Sequence, residues 1–269
     1  MTDIKRIEQT QKDALLILGV RHNQDTLMNN IKLKVVQCWD DGVTTDERLI
    51  EILRRHGAKA TFNLNAGLHD ENRKPGWTYK GTQVSRLGWS EMREIYEGFT
   101  IANHSLTHPH LEQIPIADAC REIKEGRDRL QQFFEQEVLG FAYPFGTYND
   151  AVEVAVRDAG HLYARTTLNV DQSFPPASST AFHPNCHFRA SDLWEKYHKA
   201  RFEGVFYFWG HSYEMINDAM WDEFDETIER ISNDPAAQWC HVEDLFNESE
   251  RNQSGSNKSL NSDGENAAS

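Results

Sequence analysis

The chain has 269 residues, which is enough for one large α/β domain or two small ones. Its composition, 39% hydrophobic, 26% charged and 11% aromatic, is that of an ordinary globular protein. The formal net charge of −14 argues against general binding of nucleic acid or of anionic membranes, because phosphate groups would be repelled.

The two ends of the chain differ from its middle. Residues 1–30 form an N-terminal extension whose apolar run, residues 14–18, is short and follows acidic residues, unlike a signal peptide. No stretch approaches the roughly 18 consecutive apolar residues of a membrane span. Residues 249–269 are rich in Ser, Asn and Gly, which predicts a disordered tail. We therefore expect a cytoplasmic protein with one catalytic domain over residues 31–248, and the sequence does not indicate its oligomeric state.

The cysteines do not predict a metal or disulfide framework. The four are far apart and contain no C-x-x-C pair: Cys38, Cys120, Cys186 and Cys240. We expect buried free thiols.

Predicted strands and helices alternate through the middle of the chain. Strands are predicted at residues 34–39, 59–64, 99–102, 140–143, 162–165 and 205–209. Helices are predicted from a capping box at Thr44 and Glu47 to Gly57, from an N-cap at Ser90 to Gly98, and over residues 116–136 and 149–159. This alternation with short connections predicts an α/β fold with a mainly parallel sheet, and it suits a distorted (β/α) barrel better than a sandwich.

Candidate functional residues follow the ends of these strands. They are Asp40 and Asp41 after the first strand, His104 after the third, Phe145 after the fourth, Arg165 at the end of the fifth and His211 after residues 205–209. Because the carboxyl ends of parallel strands share one face, we expect these groups to meet around one pocket.

Asp40 and Asp41 need not do the same work, because side chains alternate in direction along a strand. One can bind a metal ion while the other stays free as a base. Taken alone, the pair is better interpreted as an acidic turn in which Gly42 allows a positive φ. His104 and His108 are four residues apart and would share a face if the segment were helical. Two histidines and one aspartate leave open positions on an ion, as in catalytic sites.

This set of motifs resembles the polysaccharide deacetylases, the family 4 carbohydrate esterases. The family's first motif corresponds to residues 38–42 and its second, H-[ST]-x-x-H, to residues 104–108. Its third corresponds to residues 142–146, and its last, a strand that ends in histidine, to residues 208–211. The order along the chain is also the same.

The resemblance implies a role for each matched residue. Asp40 would be the catalytic base, while Asp41, His104 and His108 would hold one divalent ion, usually zinc. The backbone N–H of Phe145 would help to hold the oxyanion, and His211 would protonate the leaving amine. The residues themselves support this division, because amide hydrolysis needs an activated water, a charge sink and an acid.

Two departures from the family pattern stand out. The third motif has Ala142 in place of the arginine that orients the catalytic aspartate. Arg165 is the substitute we predict, and an exposed arginine paired with a helix carboxylate is the alternative. The acidic, tryptophan-containing fourth motif is not recognisable. Glu214 and Asp171 are candidates to tune His211, and the sequence does not rank them.

Other residues near these motifs have two interpretations each. His187 could line the pocket, although a capping or surface histidine is the more ordinary interpretation. Trp39, Trp209 and Tyr213 could stack on a sugar ring, although a tryptophan at a strand end is more often core packing. His110 lies two residues after His108, one of the two histidines that would hold the ion, and we interpret it as having no part in metal binding.

The sequence therefore predicts a metal-dependent hydrolase of amide bonds, with an N-acetylated carbohydrate as substrate. One alternative keeps the fold and changes the substrate to a small amide or ureide metabolite, which the missing signal peptide favours. Another is a non-catalytic carbohydrate-binding descendant, against which the five matched polar residues argue. Nucleic acid and membrane partners are not expected.

Overall fold

The computed structural model describes residues 32–171 and 174–246, and within these it alternates strands and helices as the sequence predicts. The strands are β1 Leu33–Asp40, β2 Thr61–Leu64, β3 Lys74–Tyr79, β4 Thr82–Arg86, β5 Thr100–Asn103, β6 Gly140–Ala142, β7 Tyr163–Arg165, β8 Cys186–His187, β9 Val205–Gly210 and β10 Ala237–Trp239. The helices are α1 Asp46–Arg55, α2 Trp89–Ile95, α3 Ile116–Phe134, α4 Asp150–Asp158, α5 Leu193–Ala200 and α6 Asp218–Ser232. The predicted N-terminal extension and disordered tail lie outside the described residues.

Eight of the strands form one parallel sheet in the order β7-β6-β5-β2-β1-β9-β8, with β10 also paired to β1. The sheet curls, and a parallel bridge between Arg165 and Phe182 continues it beyond β7. The predicted distorted barrel with mainly parallel strands is confirmed. Because every strand of the path runs in the same direction, all the carboxyl ends lie at one rim.

Alternate side chains of the central strands face two different cores. Val35 and Phe206 face the layer packed against the helices, whereas Val36, Cys38 and Tyr207 face the concave side of the sheet. Strands buried on both faces explain the continuous apolar runs of β1 and β9. Asp40 follows Val36 and Cys38 at the same alternation, so the strand itself directs this carboxylate into the concave side.

Two helix starts differ from the prediction. The capping box of Thr44 and Glu47 is wrong, because no side chain caps α1 and the Glu47 carboxylate binds Arg73 instead. The N-cap of α2 is Gly88 rather than Ser90, and the Glu91 side chain accepts a hydrogen bond from the Gly88 N–H. Ser90 lies inside the first turn of that helix.

The antiparallel hairpin of β3 and β4 is absent from the prediction. It forms a second sheet of its own, and Arg86 at its end bridges to Val43 beside the rim. Three of the cysteines are buried as expected, but Cys120 is exposed. Within the described part of the chain, none of the helices combines the length and the apolar character that crossing a membrane requires.

Candidate active site

Asp40 ends β1 as a buried carboxylate, 2% exposed, with a hydrogen-bond donor at each oxygen. Asn63 on β2 donates to Oδ1 at 2.7 Å, and Arg165 at the end of β7 donates to Oδ2 at 2.5 Å. Burial opposes the negative charge, but the charges of Arg165, His104 and His211 hold the pKa of Asp40 well below its usual range. Asp40 is therefore ionised at neutral pH.

The contact between Arg165 and Asp40 that the sequence predicts is present, with Arg165 only 1% exposed. The alternative of an exposed arginine is wrong. A single nitrogen, Nη2, makes this hydrogen bond, so the contact is not the bidentate one that an arginine side chain can form with a carboxylate. The guanidinium instead lies over the Trp209 ring at 4.8 Å, and Asn169 accepts a hydrogen bond from the indole N–H. Trp209 therefore supports Arg165.

Asp41, His104 and His108 come together at the rim, with ligand atoms within 4.8 Å of one another. The two histidines are not on one helical face, because residues 104–108 are not helical and both Ser105 and His108 have positive φ. A turn, tightened by the hydrogen bond from the His108 N–H to Ser105 Oγ, brings the rings to 4.7 Å.

The chemistry of these three donors suits a divalent ion. His104 Nδ1 donates to the carbonyl of Ala142 at 2.8 Å, which leaves Nε2 with its lone pair. Burial lowers the pKa of His104 to about 4 and also lowers that of His108, so both rings are neutral near pH 7. Two neutral imidazoles and a carboxylate are ligands typical of zinc.

The turn after β1 depends on Gly42. Its φ of +65° confirms the positive value expected from the sequence. A Cβ at this position would lie 2.7 Å from Cε1 of His69 and 2.9 Å from Leu64, so no other residue fits without displacing neighbours. Asp41 itself has a φ of 84°, a value that is uncommon outside glycine.

His211 faces both aspartates. Its Nε2 lies 3.8 Å from Asp40 Oδ2 and 4.0 Å from Asp41 Oδ2, while its Nδ1 lies 3.3 Å from Glu214. Burial lowers the pKa of His211, but the hydrogen bond to Glu214 and the two aspartates outweigh it and raise the value. Glu214 is thus the acid that tunes His211. Asp171, the other candidate, pairs with Lys199 instead.

His187, at the end of β8, is half-buried and belongs to the same group rather than to the surface. Its Nε2 lies 2.7 Å from Glu214 Oε2. The Arg189 N–H points at Nδ1 of His187, which places the ring proton on Nε2, facing the carboxylate. His187, His211 and Glu214 also have the spacing of metal ligands. The Arg189 contact orients the His187 ring, and Glu214 lies between the two histidines, with His211 at one oxygen and His187 at the other.

Phe145 is half exposed, and its backbone has a φ of +59°. Its ring stacks on His110 at 3.7 Å and meets the edge of His108 at 4.6 Å. His110 therefore packs against Phe145 at the rim. Trp39 is fully buried against Phe188 and Phe224, so the core interpretation of this tryptophan is confirmed.

The hairpin supplies site residues that sequence reasoning missed. Arg86 is buried, donates to the carbonyl of Asp41 at 2.6 Å and lies over Trp77 at 5.0 Å. The Tyr213 ring lies between Trp77 and Tyr79 on the hairpin and His211, at 5.0 to 5.2 Å from each. The hairpin turns at Lys80 and Gly81, both with positive φ, and this pair is not among the Asn-Gly, Asp-Gly or Gly-Gly pairs that mark a two-residue hairpin turn in a sequence.

Comparisons with known proteins identify the family and the fold of the chain. The sequence model described as "Polysaccharide deacetylase" matches residues 29–164, just over half of the chain. The uncharacterized protein YlxY of Bacillus subtilis (strain 168) is 24% identical over 106 residues, which cover 39% of this chain and 28% of that relative.

Solved structures share the fold at low identity. The Xyl-CE4 domain of a multidomain xylanase from the hindgut metagenome of Trinervitermes trinervoides has a TM-score of 0.54 at 16% identity, covering 81% of this chain and 92% of that one. A mutant of the peptidoglycan deacetylase PdaC of Bacillus subtilis has a TM-score of 0.53 at 16% identity, and the match covers 87% of this chain and 99% of that one. BA3943 of Bacillus anthracis, a CE4 family pseudoenzyme, has a TM-score of 0.52 at 14% identity, and the match covers 80% of this chain and 66% of that one. Because the family's sequence model spans half of its residues, this chain belongs to the polysaccharide deacetylase family.

Proposed function

We propose that the chain is a metal-dependent hydrolase that removes the acetyl group from an N-acetylated carbohydrate. One observation carries the proposal: the two adjacent carboxylates have different surroundings at one rim. Asp41 lies with two neutral imidazoles, whereas Asp40 is held by Arg165 and Asn63. A third imidazole, His211, faces both carboxylates.

Asp41, His104 and His108 would hold one divalent ion, and Zn²⁺ suits this donor set. When bound, such an ion supplies Lewis-acid chemistry, since it polarises a carbonyl and makes water more acidic. The Asp41 backbone is fixed by Arg86, and the His104 ring is fixed by the carbonyl of Ala142. These contacts keep the donors in place before an ion arrives.

Asp40 and His211 would move the protons. Ionised Asp40 accepts the proton of the attacking water at its Oδ2 side, where His211 Nε2 also lies. Because its pKa is low, Asp40 is a weak base and requires a water that is already acidified. Protonated His211, held by Glu214 at Nδ1, has Nε2 free to protonate the leaving nitrogen.

The surroundings of these groups suit an uncharged ring. The backbone N–H of Phe145 would hold the oxyanion, as the family motif implies. Half-buried Trp77, Tyr79 and Tyr213 form an aromatic wall beside His211. Aromatic faces with polar edges are a surface on which a sugar ring can pack.

The alternatives keep the fold and change the use of the site. A small amide or ureide would need the same metal, base and acid, so it differs in substrate alone. A non-catalytic carbohydrate-binding domain is the other alternative, and the fold includes a pseudoenzyme. The fold does not decide between them, so the proposal depends on Asp40, Asp41 and the three histidines.

The metal assignment is tested by elemental analysis of the purified protein and of variants. His108→Ala should lose most of its bound ion, whereas the exposed-residue variant His198→Ala should keep it. Equal metal content in wild type and His108→Ala would contradict the assignment.

The division between the two aspartates has its own test. Asp40→Asn should keep the metal and lose about 10²–10⁴-fold in turnover, the usual effect of losing a general base. Turnover is measured as acetate release from N-acetylglucosamine oligomers beside small amides, with and without added zinc. If Asp40→Asn loses the ion while Asp41→Asn keeps it, the two roles are reversed.

A further inference from the structure

Asp46, the first residue of α1, is a fully buried carboxylate that none of the proposed catalytic steps uses. It accepts three hydrogen bonds from three separate parts of the chain. Val43 N–H and Tyr96 Oη donate to Oδ2 at 3.2 and 2.6 Å, and Ser212 Oγ donates to Oδ1 at 2.5 Å. Thr45 Oγ1 also lies 2.7 Å from Ser212 Oγ.

Two of these donors are close in sequence to the proposed catalytic groups. Val43 follows Asp41 by two residues, and Ser212 directly follows His211. The backbone pairing of β1 with β9 ends at Trp39 and Gly210, one residue before Asp40 and His211. Beyond that point the Asp46 side chain links the two rim segments.

We propose that Asp46 and Ser212 form a tether that sets the position of His211 relative to Asp40 and Asp41. Asp46 is thus a positioning residue, and the catalytic consequence of the tether rests on the proposed function. The separation it would control is short, 3.8 Å between His211 Nε2 and Asp40 Oδ2. Misplacement of a catalytic group by about 1 Å can cost on the order of 10²-fold in rate.

The cost of keeping a carboxylate here supports a role beyond packing. Burial raises the pKa of Asp46 to about 7, although Ser212, Tyr96 and Val43 all donate to it and lower the value. An apolar residue at this position would avoid the cost of desolvating a carboxylate, and apolar residues are what a protein core usually contains. Ionisable groups with strongly shifted pKa values tend to lie at functional sites.

The test is a double-mutant cycle of Asp46→Ala and Ser212→Ala, with kcat, KM and the free energy of unfolding measured for each protein. If the tether acts through the Ser212 hydrogen bond, each variant should lose roughly 10- to 100-fold in kcat with little change in KM. The double variant should then lose no more than the worse single variant, because both remove the same interaction. Ser212→Thr, which keeps the hydroxyl, should restore most of the activity.

Tyr96→Phe is the matched control. It removes a hydrogen bond from the same carboxylate, so it should lower the free energy of unfolding by about 1 kcal/mol. It leaves the link to Ser212 intact, so kcat should stay near that of the wild type. A fall of kcat in Tyr96→Phe as large as in Ser212→Ala, or kcat losses that add fully in the double variant, would overturn the tether.

A structural readout separates this inference from the proposed function. In crystal structures, the distance between His211 Nε2 and Asp40 Oδ2 should lengthen in Ser212→Ala relative to the wild type. If the wild type releases no acetate from any probe, the proposed function fails. The distance between His211 Nε2 and Asp40 Oδ2 then becomes the sole test of the tether. An unchanged distance would overturn it.

Discussion

Asp40 and Asp41 show how two identical neighbours acquire different chemistry. Asp40 shares the alternation of Val36 and Cys38 and so enters the concave side, where Arg165 lies. Asp41 follows with a positive φ, which turns its carboxylate toward His104 and His108. The difference arises from one step of strand alternation and one unusual backbone angle. No difference in side-chain type is required.

Arg165 should be irreplaceable by lysine. The Arg165→Lys variant keeps the charge, but an ammonium cannot both reach Asp40 and lie flat over the Trp209 ring. Loss of a general base costs about 10²–10⁴-fold, so a misoriented base should lower kcat by at least about tenfold. Metal content, measured by elemental analysis, should not change. Arg121→Lys on the exposed side of α3 is the control. If the two variants have a comparable kcat, Arg165 does not orient the base.

Glu214 should control the pH at which the proposed acid works. The hydrogen bond and the charge of Glu214 help to raise the pKa of His211, so Glu214→Gln should lower it. Activity that needs protonated His211 falls as pH rises through this pKa. The alkaline limb of the kcat profile should therefore move to lower pH in Glu214→Gln. An alkaline limb that stays in place would show that His211 is not the group that titrates there.

Among the elements, the β3–β4 hairpin adds a buried cation to the rim. Arg86 holds the carbonyl of Asp41 and lies 3.8 Å from its Oδ1, while Trp77 covers the guanidinium. The hairpin therefore fixes the turn at Asp41, a proposed metal ligand, from outside the barrel. It also carries Tyr79 to Tyr213, so one element contributes both a positioning group and part of the aromatic wall.

Arg86→Met should weaken metal binding without removing a ligand. Methionine has a similar length but no donor for the Asp41 carbonyl, and changes to groups that orient ligands typically cost about 10- to 100-fold in metal affinity. A competition titration with a chromophoric chelator measures this loss. Lys74→Met, at the start of the same hairpin and paired with Asp70, should leave the affinity unchanged. If both variants bind the ion as tightly as wild type, the hairpin has no part in the metal site.

The longer barrel strands could be predicted because apolar runs and alternation with helices identify buried parallel strands, whereas the short strands β8 and β10 were not predicted. The hairpin could not, since Pro75 and Gly76 lie inside β3 and interrupt any strand pattern. The site was predictable where a residue ends a strand, as for Asp40 and Arg165. It was not predictable where loops close: His104 and His108 would share a face if their segment were helical, but a turn brings them together instead.

At the scale of the whole molecule, buried and uncharged histidines make the stability of the folded chain depend on pH. Burial lowers the pKa of His161 to about 3, assisted by Arg127, and lowers those of His69 and His104 to about 4. In the unfolded chain each of these histidines has an ordinary pKa of 6.5 and is protonated below that pH. In the folded chain the same ring stays neutral until the pH is much lower.

The folded state should therefore lose stability as pH falls below about 6.5, before most carboxylates are protonated. Between that value and about 4 the unfolded chain binds protons at these three histidines that the folded chain does not, and they outnumber Asp46, whose raised pKa acts in the opposite direction. Each such histidine contributes up to about 1.4 kcal/mol per pH unit to the slope of the unfolding free energy. Urea unfolding of the metal-free protein at a series of pH values measures this slope.

His161→Gln isolates one of these contributions away from the metal ligands. His161 is 4% exposed and its neighbours are Asn103 and Phe141. A glutamine cannot titrate there, so the slope between pH 6 and 4 should decrease by roughly 1 kcal/mol per pH unit, whatever the change in stability at pH 7. His198→Gln, at an exposed position of α5, should leave the slope as in wild type. A slope in His161→Gln equal to that of His198→Gln would show that His161 becomes protonated without unfolding.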